Sequence, residues 1–443
     1  MQWIALAAAL IAAIVTIPVA LQGQGTPYDE YTHFDFIARV AVDHTMPLVN
    51  DKVGQTSLQQ YACAGGAFGN LVCGAEVQDP ARAPWDGDSA ATNNQPTYYV
   101  LTAIPTWFIY HFTPAHWFTS ARIANTLWVM LLAYLCVVLA CAMGAVPAAA
   151  FGGALLVSVN PMMLLQGSSV SPDPASCVAA LACVFVWWRL RNHSSTWFRI
   201  ALTILAVLIA LSVKETAVVG LFAVVAMEGA RAFVRRGDAA TPAVSTAAPP
   251  WLTRFAPVVV LALAVPVLHV IGRSFVGPLL RGSLPGNTTM ADSLSVGQPG
   301  LSQLLAGPYF DLSKVFTSPT GQQAGLWFGA YGVALFMLAA GGTLALLLQA
   351  PREPRVVDES FIRAMRGGIV AYFVFFPALF IMATAQVSAA FWQPRYILPG
   401  AALALITVTL GMGRRAGIAW AVAGLFVVAV FLLFVVGGAQ VPA

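Results

Sequence analysis

QWIALAAALIAAIVTIPVALQGQGTPYDEYTHFDF, residues 2–36, sets an apolar run directly against an acid cluster. Residues 2–21 carry no charge, and roughly 20 apolar residues are what a helix needs to cross a hydrocarbon core of about 30 Å. Residues 29–35 then hold Asp29, Glu30, His33 and Asp35. Groups of this kind stay in water or are used, because a carboxylate at a hydrocarbon boundary costs desolvation. The lead is short and uncharged, with no convincing small-residue cleavage site. We therefore read the run as a retained first transmembrane helix rather than a cleaved signal peptide.

The rest of the 443 residues repeats the pattern: 59% are apolar and 9% charged, against roughly 25% charged in soluble domains. A soluble enzyme is excluded, and the chain is expected to be an all-α polytopic membrane protein. The excess of 22 basic over 18 acidic residues is too small to point to nucleic acid. Twelve apolar runs are candidates for helices: 2–21, 95–112, 121–143, 146–166, 174–188, 200–213, 216–233, 255–275, 326–348, 367–385, 396–412 and 418–436.

Charge decides sidedness, since short cytoplasmic loops concentrate Lys and Arg. Arginines cluster at 189–199, 231–254, 352–366 and 414–415, and nine of the 18 acids lie between residues 29 and 88. Placing all four clusters inside and the acidic loop outside requires that 95–112 not cross. Tyr98, Tyr99, Trp107, Phe108, Tyr110, Phe112, Trp117 and Phe118 form an aromatic series suited to the headgroup level, and Pro105 interrupts the run. About eleven crossings follow, with the N-terminus in, the C-terminus out and a juxtamembrane helix on the outer face. The alternative is an ordinary second span with the downstream topology inverted.

The same reading divides the chain into an N-terminal module, 1–234, containing the external acidic loop 22–94 and the juxtamembrane helix 95–118. A cytoplasmic linker, 235–254, and a C-terminal bundle, 255–443, with an external loop at 277–324 complete it. No internal repeat is convincing, which weakens a transporter built on inverted repeats. Cys136, Cys141, Cys177 and Cys183 lie in apolar runs, where a thiol packs as a small hydrophobe. Cys63 and Cys73 stand in the external, oxidising loop and are expected to pair. No cysteine or histidine spacing supports a structural metal.

If residues from 29 onward form a helix, Asp29 and His33 share one face at i and i+4 while Glu30 points elsewhere. A carboxylate supported by an imidazole suits a general base for an alcohol, or part of a divalent cation site. The other reading is a solvated loop in which Asp29 caps a helix.

The order of short motifs adds a resemblance. P-Y-D-E-Y-T-H-F at 27–34 follows the first helix, then come N-Q-P-T-Y-Y at 94–99, S-P-D at 171–173, K-E-T at 214–216 and Q-P-R-Y-I-L-P at 393–399. Together these resemble a bacterial polytopic membrane family of unassigned function with a PDExxH first external loop. That family lies within the GT-C superfamily of polyprenyl-phosphate-sugar-dependent glycosyltransferases. Tyr28, Gln95, Thr97 and Pro394 depart from the family pattern without removing a charge.

The resemblance implies a GT-C-like helical bundle in a bacterial inner (plasma) membrane, with an extracytoplasmic active site. It further implies an inverting transfer of sugar from a polyprenyl-phosphate donor to an envelope or cell-wall glycan, or a glycolipid. Asp29 or Glu30 matches the family's catalytic base, with His33 in support. The donor phosphate needs a cation near an outer helix end, and Arg395, Lys214 and Arg273 are the candidates. Each could instead be a snorkelling residue, and Lys214 could pair with adjacent Glu215. Gln95, Tyr98, Tyr99, Asp173, Gln393 and Tyr396 are expected around the substrates, Asp173 alternatively serving as a helix cap. No cofactor is implied beyond a possible divalent cation. The rivals are a transporter or flippase of lipid-linked saccharide, and a non-catalytic subunit of a wall-synthesis complex. Donor sugar, acceptor, linkage and oligomeric state do not follow from the motifs.

Overall fold

A computed structural model describes residues 1–22, 29–48, 51–65, 71–83, 87–234, 250–271, 398–410 and 412–436. The expected spans 326–348 and 367–385, the loop 277–324, and Arg273, Gln393, Arg395 and Tyr396 lie outside the described residues. Within them the chain is all-α. The helices are α1 (Gln2–Gln22), α2 (Glu30–Ala38), α3 (Gln55–Cys63), α4 (Thr97–Phe112), α5 (Trp117–Ala142), α6 (Pro147–Ser158) and α7 (Pro161–Ser168). They continue with α8 (Asp173–Leu190), α9 (Thr196–Val213), α10 (Val219–Val234), α11 (Pro250–Ile271), α12 (Leu398–Leu410) and α13 (Arg414–Val436). A single isolated bridge, Lys52 to Asp88, is the only extended pairing among the described residues.

Among the described residues four helices, Gln2–Leu21, Trp117–Ala142, Asp173–Leu190 and Thr196–Val213, are long and apolar enough to cross a membrane. The way they pack fits lipid as solvent. In α1, Ala5, Ala8 and Ala12 are buried, while Leu6, Leu10 and Ile14 are exposed. Water would favour the reverse; in lipid, small residues bring helix backbones together and large apolar ones face outward. The close contact of α6 with α13 shows the same logic, since a Cβ on Gly152 would lie 2.7 Å from the Trp420 backbone.

The run 146–166, expected as one crossing, is broken. Pro161 has no N–H to continue α6, and Asn160 before it is extended. The Asn160 carboxamide oxygen then accepts from the Met162 and Met163 N–H groups and starts α7, so the two helices meet at 67°. If each bent pair counts as one span, the described residues hold up to five. Helices α11, α12 and α13 pack on α6, α8, α9 and α10, and Leu261, Leu398, Leu405 and Trp420 share one core with Leu132 and Trp187. The start of α11 at Pro250 falls inside the stretch read as linker.

Two ends of the bundle can be told apart. At one, Trp188 Nε1 donates to the Ala142 carbonyl, Gly144 turns the chain at φ 97° between α5 and α6, and Gly417 of α13 meets Val146 and Ala149. The arginine clusters 189–199 and 414–415 fall there. At the other end lie the C-terminus of α1, the N-termini of α5 and α8, the C-terminus of α9, and the acidic loop. Helix α4 starts there, where the Tyr98 hydroxyl donates to Asn125. It also finishes there, where Tyr110 stacks on Trp117 with ring centroids 4.2 Å apart. At 16 residues it would reach only about 24 Å at 1.5 Å per residue.

Candidate active site

The turn at Asp29 brings the acidic stretch over this end. Asp29 occupies the N-cap position of α2, yet its side chain makes no capping hydrogen bond. It turns to His33 one helical turn on, with Oδ2 3.3 Å from Nε2. The helix N-terminus still favours its charge through the aligned peptide dipoles. His33 Nδ1 lies 2.7 Å from the Tyr99 hydroxyl. Tyr99 itself lies flat against Phe36, centroids 3.9 Å apart at 6°.

Glu30, the next residue, has a different environment. Arg122 Nε and Nη2 donate to its two carboxylate oxygens at 2.7 Å each, and the Val170 N–H donates to Oε1 at 2.8 Å. The guanidinium also sits 4.5 Å from the Phe118 ring centroid. Sequence alone could not separate Asp29 from Glu30. The structure does: the Glu30 side chain is 1% exposed and bound on both oxygens, whereas Asp29 keeps 17%. Asp29 is therefore the more accessible of the two acids, and Glu30 ties α2 to α5.

Asn125, one turn beyond Arg122, extends this anchoring. Its amide nitrogen donates to the carbonyls of Gln166 and Ser169 while its oxygen accepts from Tyr98. The turn between α7 and α8 is thereby fixed against both α4 and α5. From that turn Ser171 donates to Asp173 Oδ2 at 3.0 Å, and Lys214 Nζ lies 2.5 Å from Asp173 Oδ1. Asp173 is thus the buried partner of Lys214 rather than the N-cap, which is Pro172. Tyr98 and Tyr99 are fully buried behind the carboxylates rather than facing outward, as is Phe118. The aromatic series therefore splits: Trp107, Phe108 and Phe112 of α4 are its exposed members, together with Tyr110. Gln95 is half-buried just ahead of α4.

The acidic loop is braced separately. Arg39 Nε donates to Asp35 at 2.9 Å and its Nη1 to Asp51 at 3.4 Å, while the Gly54 N–H donates to Asp35 at 2.9 Å. Burial raises the Asp35 carboxyl above the usual range despite the opposing Arg39 charge. Burial, followed by the negative charge of Asp29, likewise raises the Tyr31 phenol. Cys63 and Cys73 are joined, with Cα atoms 4.5 Å apart. No group of three or more His, Cys, Asp or Glu suited to a metal ion occurs among the described residues.

Arg122 and Asn125 are the members that the sequence reading missed. A signal existed: Arg122 is a lone arginine in an apolar run, apart from every basic cluster, and an ionisable residue at such a place asks for a named partner.

No protein-family model and no curated protein matches the chain. Among solved structures it is similar to the apo oligosaccharyltransferase of Archaeoglobus fulgidus, at 14% identity and a TM-score of 0.45, over 99% of this chain and 56% of that one. The complex of that enzyme with zinc and sulfate gives 16% identity and a TM-score of 0.41, over 98% and 52%. ArnT from Cupriavidus metallidurans bound to undecaprenyl phosphate gives 15% and 0.36, over 97% and 77%. The chain spans just over half the length of the archaeal oligosaccharyltransferase.

Proposed function

We propose that this chain is a GT-C membrane glycosyltransferase that moves a sugar from a polyprenyl-phosphate donor to an envelope or cell-wall glycan at the extracytoplasmic face. The observation that carries the reading is the division between adjacent acids: Glu30 is bound on both oxygens by Arg122, and Asp29 is partly open and backed by His33. The motif order from the first external loop to residue 399 supplies the donor class, and the arginine clusters at the opposite end supply the orientation. On this reading α4 is a juxtamembrane helix with Leu101, Ile104, Phe108 and Phe112 in lipid.

In the proposed step, an acceptor hydroxyl gives its proton to the Asp29 carboxylate as its oxygen bonds to the anomeric carbon. The bond from that carbon to the phosphate oxygen breaks with its electron pair, and polyprenyl phosphate leaves from the opposite face, so configuration inverts. Arg395 is the proposed partner of the departing phosphate, because a guanidinium offers two parallel donors. Lys214 is already matched by Asp173.

The test is incubation of the purified full chain with a panel of polyprenyl-phosphate sugars and envelope glycans, with mass spectrometry of the products. A glycosylated acceptor and released polyprenyl phosphate are expected. Movement of intact lipid-linked saccharide across vesicles without any transfer would favour the flippase reading instead.

A further inference from the structure

The contacts on the two sides of the His33 ring bear on which of its nitrogens carries the proton. A carboxylate is only an acceptor, so the nitrogen facing Asp29, Nε2 at 3.3 Å, must bear hydrogen for the contact to attract. In a neutral ring Nδ1 is then a bare lone pair and needs a donor. The Tyr99 hydroxyl is 2.7 Å away. A second acceptor, the Ala91 carbonyl, is at 3.5 Å, the limit of a hydrogen bond. The shorter contact sends the phenol hydrogen to the histidine.

We propose that Tyr99 and His33 are positioning residues: the Tyr99 O–H fixes His33 in the tautomer protonated on Nε2, and that N–H holds the Asp29 carboxylate in place. The hydrogen bond made by one ring nitrogen decides which form the other takes. Without Tyr99's hydrogen, the form protonated on Nδ1 gains population and turns a lone pair toward Asp29, which repels the carboxylate. The device also ties the base to the helix packing. Tyr99 is on α4, whose start is held by the bond from neighbouring Tyr98 to Asn125 of α5, so the Asp29 position is set by the same framework that anchors Glu30. The role assigned to Asp29 rests on the glycosyl-transfer reading; the tautomer assignment does not.

The test uses the full chain with Tyr99→Phe, His33→Gln and both together. Phenylalanine keeps the ring against Phe36 and removes only the hydroxyl. Glutamine offers an N–H toward Asp29 and an oxygen toward Tyr99 without a proton that can exchange ends. With a productive donor and acceptor, Tyr99→Phe is expected to lower kcat about 10-fold or more, the scale for losing a partner that orients a functional histidine, while KM for both substrates stays within about two-fold. In the His33→Gln background the same change should alter kcat by less than about two-fold, because Tyr99 acts through the histidine and the two changes are coupled rather than additive. Equal losses in both backgrounds, or an unchanged kcat in Tyr99→Phe, would overturn the proposal.

The ¹⁵N resonances of ring-labelled histidine, with His33→Gln assigning the signal, report the tautomer directly. A neutral His33 protonated on Nε2, and a mixed or reversed signal in Tyr99→Phe, are expected. A ring protonated on Nδ1 in the unsubstituted protein, whether alone or together with Nε2, sinks the tautomer assignment. Absence of transfer in the unsubstituted protein instead counts against the glycosyltransferase reading, and the spectra still decide the tautomer.

Discussion

Both ends of the helix bundle carry a buried ion pair, but they use it differently. At the basic end Arg199 lies 3.6 Å from Glu228, which also accepts from Trp187 Nε1 at 2.8 Å, and Arg191 stacks 3.3 Å above Trp188. The Glu228 carboxylate there is answered by two neighbouring helices, while Arg191 turns back on its own helix. The acidic end has two such pairs, Glu30 with Arg122 and Asp173 with Lys214, and then adds Asp29, which faces an imidazole and keeps part of its surface open. Paired charges mark where helices are fastened together in an apolar medium. The partly exposed acid beside them is what the proposed function rests on.

If the two ends lie on opposite sides of a membrane, labelling separates them all-or-none. A cysteine at position 79, on the exposed surface of the acidic loop, should react with an impermeant reagent from outside, and one at position 194 only after permeabilisation; Asp79 and Ser194 are both exposed. Reaction at 194 and not at 79 would reverse the orientation and move the proposed chemistry to the cytoplasm.

Asp29→Asn tests the open acid. Losing a general base costs about 10²- to 10⁴-fold in rate, so transfer should fall by that much while melting temperature and donor binding hold. Wild-type turnover in this variant would remove the distinction between the ends. Arg122→Met tests the fastening next to it, because it leaves Glu30 buried without its main partner. Breaking such a pair costs about 3–5 kcal/mol, read as a large drop in thermal stability, and adding Glu30→Gln should recover part of it. A melting temperature unchanged in Arg122→Met would mean the pair contributes nothing to the packing of α2 on α5.

The smallest effect is expected at the other end. Glu228→Gln keeps an acceptor for Trp187 and gives up the charge toward Arg199, a loss of about 1.5–3 kcal/mol. Transfer per folded molecule should not change, and a large loss of turnover there would show that the basic end takes part in function.

Much of the outline was legible locally. The helices from residue 97 to 234 follow their apolar runs, and Asp29 and His33 face each other because i and i+4 positions on a helix always do. The disulfide needed only two cysteines ten residues apart in a loop outside the apolar runs. The break at Asn160 and Pro161 was also written in the sequence, as an extended residue before proline, but a continuous apolar run concealed it. Other readings depended on which helices become neighbours. Arg122 meets Glu30 across 92 residues of chain and Tyr99 meets His33 across 66.

What the sequence by itself determined is therefore the solvent of each segment and the contacts closed within one helical turn, since both follow from side-chain chemistry and fixed backbone geometry. Only the tertiary structure decided that Glu30 is a fastening and Asp29 is open. Two adjacent carboxylates differ solely in what surrounds them, and those surroundings come from α4, α5 and the turn before α8, brought together by packing that no local pattern specifies.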